Sequence, residues 1–127
     1  MDRKFLMTGL GYAILGMVLG IIMAASHDHG QLVTHAHIML LGFVVSMVYA
    51  LCHRLWLPAQ VSSLAKVQFW IHQFGALSLT VGLFLLYGNV VVDTRIEPLL
   101  TAGSLAALVG MILMKVMIIR AGKRQPA

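Results

Sequence analysis

Long apolar blocks alternate with short polar interruptions along this chain. Four blocks, roughly residues 5–25, 35–57, 67–87 and 98–119, each hold about 20 mostly apolar residues, the length needed to cross a hydrocarbon core. In lipid every backbone polar group must be paired within the segment, so each block predicts a helix. The connections are short, which makes consecutive helices antiparallel neighbours. Pro58 ends the second block and Pro98 opens the fourth, as expected of a residue excluded from helix interiors. Trp56, Trp70 and Tyr87 fall near block ends, where interfacial aromatics sit. The expected fold is all-α, a single integral membrane four-helix bundle.

Small residues recur at close-packing intervals: Gly9 with Ala13 and Gly16 with Gly20 in the first block, Gly103 with Ala107 and Ala106 with Gly110 in the fourth. Such spacing lets helix backbones approach closely. It does not say which helices pair.

Composition strengthens the membrane reading. Of 127 residues, 60% are hydrophobic and 10% charged. A soluble domain of this size leaves too much surface wet to hide that fraction. The net charge of +5 does not point to nucleic acid, because the basic residues form no stripe. Arg3, Lys4, Arg54, Lys66, Arg120, Lys123 and Arg124 lie at one side of the predicted membrane, and Lys115 can snorkel there. Arg95 falls on the other side with Asp28, Asp93 and Glu97. The positive-inside rule then places both termini in the cytoplasm of a bacterial cell, with the protein in its cytoplasmic (inner) membrane. The first block has the basic start of a signal peptide, but it is long and runs into Ser26-His27-Asp28-His29. A lone cysteine, Cys52, excludes an internal disulfide.

Six histidines are many for so uncharged a chain. His27, His29 and His53 read as wet, interfacial side chains. A zinc or copper site at His27, Asp28 and His29 would draw few ligands from one flexible segment. His35 and His37 open the second block, in Thr34-His35-Ala36-His37. At about 100° per residue they point about 200° apart, so they cannot hold one metal from this helix alone. Burying an ionisable group in a membrane is expensive, which makes each a functional candidate. Interhelical hydrogen bonding is the competing reading. His72 follows Lys66 by six residues, about 9 Å along a helix, which sets it in the opposite third of the membrane from His35 and His37. There it could line a proton path, touch a quinol, hold a second cofactor, or simply pack.

The stretch from Thr34-His35-Ala36-His37 through Leu40-Leu41-Gly42, with Tyr49, Arg54-Leu55-Trp56 and Pro58, resembles the tenth helix of the catalytic subunit of heme–copper oxidases and nitric-oxide reductases. The block from Lys66-Val67-Gln68-Phe69-Trp70 resembles the eleventh, and the whole chain the last four helices, one four-helix arc of that subunit. The resemblance implies that His35 ligates the iron of one heme and His37 that of another. It also implies that Arg95, in the loop between the third and fourth helices, meets heme propionates. The family's copper ligands lie on earlier helices, so copper is not expected. Two axial histidines leave no open iron position and favour electron transfer. The expected function is therefore a b-type cytochrome, exchanging electrons with a quinol or a redox protein. The alternatives are a gas-binding enzyme or sensor with an open heme site, and a non-catalytic accessory or assembly subunit. Because His35 and His37 diverge, symmetric association is expected to bring half-sites together. The family's subunit sets its twelve helices in three such arcs with approximate threefold symmetry, so the resemblance implies a homotrimer pairing His35 of one protomer with His37 of the next, preferred to a twofold dimer.

Overall fold

A computed structural model describes residues 1–124 of the 127. Four helices are long and apolar enough to span a membrane, and among the described residues there is no strand. Helix α1 covers Asp2–Ser26, α2 Leu32–Leu55, α3 Ser63–Tyr87 and α4 Asp93–Arg124. The protein is a multi-pass membrane protein. Its lipid-facing sides carry large apolar residues such as Ile14, Ile21, Leu40, Phe74 and Leu108, all exposed. In water that surface would drive aggregation, whereas in hydrocarbon it costs nothing.

The helices begin and end where side chains can satisfy their free backbone groups. Ser62 caps α3, its Oγ accepting from the Ala65 N–H at 3.1 Å. His27, in the left-handed region at φ 58°, closes α1. Two boundaries differ from the sequence expectation. The second helix starts at Leu32, three residues before His35, so His35 and His37 lie in its first turns rather than at its tip. The fourth starts at Asp93, so Pro98 does not open it but sits inside it. Both Thr94, the residue whose carbonyl loses a partner to the proline ring, and Pro98 are exposed at the helix end. Water can therefore satisfy that carbonyl, and the proline is tolerated.

Helix α2 is not uniform. Between its α-helical ends, Ile38–Val45 winds in wider π-type turns. Such turns are rare, occur mostly as single bulges and often mark functional sites. This stretch changes the angular phase between the His35–His37 end and the Ser46–Leu55 end. Gly42 lies in its middle against the Tyr12 ring, where a Cβ would come within 2.5 Å of Tyr12 Cγ.

Each helix runs antiparallel to the next. Helix α1 lies on α2 and α4 lies on α3, while α2 and α3 join the two pairs. The small-residue stripes are the close approaches. On α1, Gly16 receives Met39 and Gly9 receives Ser46. Between α3 and α4 the backbones themselves meet, since a Cβ on Gly75 would lie 2.9 Å from the Ala107 nitrogen. The buried core lies at the end carrying the N-terminus and gathers Phe5, Tyr49, Ala50, Phe69, Met114 and Met117 from all four helices. Phe5 is fully buried and makes edge-on contacts with Tyr49 at 5.3 Å and Phe69 at 5.0 Å. Toward the opposite end α1 and α3 part, leaving an apolar groove of about 360 Å³ floored by Thr34 and Ile38.

Candidate functional site

The two neighbouring histidines of α2 are anchored in the same chemical manner and aimed differently. His35 is half-buried against α1, with Nδ1 at 2.8 Å from the Gly16 carbonyl oxygen. A carbonyl only accepts, so Nδ1 carries the proton and donates. In the neutral imidazole Nε2 is then the nitrogen with the free lone pair. The imidazole lies close against Gly20, where a Cβ would approach its Cε1 to 3.0 Å. Gly16 and Gly20 thus supply the acceptor and the room. His37 is exposed, and its Nδ1 lies 2.9 Å from the Val33 carbonyl oxygen one turn back. By the same argument its neutral form has the free lone pair on Nε2.

This is the arrangement an iron-ligating histidine requires. Metal-bound imidazoles commonly donate their second ring N–H to a carbonyl or carboxylate, which fixes the tautomer and the ring direction. The donor chemistry of both residues therefore fits an axial heme ligand. A single protomer does not enclose a macrocycle around either: His37 faces outward from the helix, and His35 faces α1. Among the described residues no three metal-ligand side chains converge, so His27, Asp28 and His29 form no closed metal site. Both loop histidines are exposed.

Arg95 is not in a loop. It occupies the first turn of α4, because the helix begins at Asp93. Its side chain is exposed, and among the described residues it forms no ion pair, with Asp93 and Glu97 its close sequence neighbours. It lies at the same end of the protein as the α1–α2 connection that precedes His35.

His72 is packed, far from these residues. It is fully buried, its Nε2 is 2.9 Å from Ser46 Oγ, and its ring meets Tyr49 edge-on at 5.0 Å. Gln68, one turn earlier and also fully buried, donates from Nε2 to the Gly110 carbonyl at 3.1 Å. His72 Nδ1 and Gln68 Oε1 are buried atoms with no protein partner. These side chains link α2, α3 and α4 beside the buried aromatic core. With Thr34 and Ser46 they are the fully buried polar residues among those described. Sequence reasoning passed over Ser46 and Gln68, which carry no pattern beyond being polar in apolar blocks.

His53 also departs from expectation. It is not a wet interfacial residue but half-buried, stacked on Phe5 at 5.6 Å with its Nε2 enclosed and unpartnered. The start of α1 covers it, a contact between residues far apart in the chain. Comparison of the chain with protein-family models, curated proteins and solved structures finds no match.

Proposed function

We propose that this protein is a b-type heme protein of the bacterial cytoplasmic membrane, in which His35 and His37 are axial ligands contributed to hemes shared between protomers. The observation that carries this reading is the common Nδ1 anchoring of both rings to backbone carbonyls, which leaves each Nε2 as a lone-pair donor. Heme, when bound between two imidazoles, supplies one-electron transfer with no open iron position. The role of the chain is then to hold two imidazoles by their Nδ1 bonds, His35 against α1 and His37 on the exposed face of α2, where neighbouring chains can meet it. Electrons would pass between a quinol or a redox protein and a further partner.

Outward divergence argues for a partner chain. His35 faces the α1 side of α2 and His37 is exposed, so neither completes a pair within the protomer. A homotrimer in which His35 of one protomer and His37 of the next clamp one heme closes symmetrically. The charge distribution supports both termini in the cytoplasm. Arg3, Lys4, Arg54, Lys66, Lys115, Arg120 and Lys123 gather toward the end with the termini, and Arg95 lies at the other. Arg95 is then placed on the outer side, at the level where heme propionates would emerge.

The decisive experiment is an optical spectrum of the purified protein, oxidised and reduced, with and without carbon monoxide. Sharp reduced bands unaffected by carbon monoxide are expected. A carbon monoxide shift would assign an open iron site instead, and the absence of a Soret band after expression with heme supply would reject the reading.

A further inference from the structure

A cleft of about 340 Å³ opens at the end with the termini, between the α2–α3 connection, the start of α3 and the end of α4. Its walls include Leu57, Leu64 and Met117, and its polar margin includes Arg120 and Ser62. The proposed heme ligands lie toward the opposite end and take no part in it.

Charge selects what such a cleft accepts. Arg120 is exposed and has no carboxylate partner among the described residues. Among the described residues Asp2 is the one acidic side chain near this end, and it is already engaged, 3.4 Å from Arg54 and 3.9 Å from the amino terminus. Ser62 Oγ uses a lone pair as the helix cap, which leaves its hydroxyl proton free to donate. The same residue starts α3, a helix of 25 residues whose positive end therefore lies at the cleft margin. Guanidinium, hydroxyl donor and helix end all favour a negatively charged oxygen group. A neutral quinone gains little from a full positive charge, whereas a phosphate gains a charge-assisted pair.

Depth and shape select the source. The cleft lies where the apolar spans end, and the exposed Trp56 adjoins its lining residue Leu57, which marks the headgroup level of a bilayer. A free inorganic anion would leave the partly exposed Leu57 and Leu64 uncovered. An amphiphile whose apolar chains begin just below a phosphate covers them. We propose that this cleft binds the phosphate head of an anionic membrane lipid, with Arg120 as its main charge partner. Basic pockets between membrane helices hold such headgroups in general.

The test is native mass spectrometry of the full-length, delipidated protein in detergent, after addition of phosphatidylglycerol or phosphatidylcholine. Retention of one phosphatidylglycerol per chain is expected, in clear preference to phosphatidylcholine. Arg120→Gln should lower that retention about tenfold, the scale of one lost charged hydrogen bond. Gln60→Glu, which sets a carboxylate in the cleft, should lower it as well, and Lys66→Gln, outside the cleft, should not. Millimolar inorganic phosphate should leave the lipid bound. Equal retention of the two lipids, unchanged retention in both cleft variants, or displacement by inorganic phosphate would each overturn the proposal. So would displacement by a neutral quinone to the same extent in wild type and Arg120→Gln.

Discussion

Ser46 Oγ and His72 Nε2, 26 residues apart in the chain, are hydrogen-bonded at 2.9 Å between two membrane-spanning helices. Both side chains are fully buried, and the bond ties α2 to α3 immediately after the π-type turns. Ser46→Ala leaves the imidazole nitrogen without a partner where no water competes. The expected cost is about 1–3 kcal/mol, read as lower thermal stability of the purified protein. His72→Leu, which removes the polar ring together with its need for a partner, should cost less in a Ser46→Ala background than in the wild type. Additive losses in the double variant would show that the two residues do not act as a pair.

Gly20 sets the position of His35. The ring lies so close that a Cβ at residue 20 would come within 3.0 Å of Cε1. Gly20→Val should therefore displace the imidazole and break its bond to the Gly16 carbonyl. On the proposed function, heme content falls severalfold while helix content by circular dichroism holds. Normal heme loading in this variant would mean that His35 is not held as a ligand by α1.

The two histidines also report the assembly. In a trimer with shared hemes, His35→Ala or His37→Ala alone removes one ligand from every heme, and both variants lose the bis-histidine spectrum. In a twofold dimer with one heme at the axis, one of the two variants is nearly silent. A native mass of three chains is expected, and a mass of two would decide for the dimer.

Arg95 is exposed in the first turn of α4 and free of ion pairs among the described residues. If its guanidinium meets propionates, Arg95→Gln lowers the midpoint potential, because a positive charge near heme favours the reduced form. It should also weaken heme retention, since a charge-assisted pair is lost. Unchanged potential and heme content would remove Arg95 from the site.

Orientation is checked by cysteine labelling in a Cys52→Ser background. A cysteine at Gln31 is expected to react with an impermeant reagent from outside the cell, and one at Gln60 only after permeabilisation. The reverse pattern would place the proposed heme ligands on the cytoplasmic side.

The apolar blocks, their number and their antiparallel order follow from the sequence alone, because crossing a hydrocarbon layer is a demand on length and local composition. The divergence of His35 and His37 was legible for the same reason. They are two positions apart on one helix, and helical geometry separates them whatever surrounds them. Their anchoring was not legible. It depends on Gly16 of another helix for His35 and on the Val33 carbonyl for His37. The start of α4 at Asp93, which carries Arg95 out of the expected loop, turned on Pro98 standing at an exposed helix end where water serves the orphaned carbonyl. His53 looked wet because it sits beside Arg54 at the end of the second helix, yet Phe5 from the start of α1 covers it. Ser46 and Gln68 gave no signal, since a polar residue in an apolar block acquires meaning only from the partner opposite it. Tertiary structure decided these points because burial and hydrogen bonding are properties of two surfaces in contact, and a hydropathy pattern describes one surface at a time.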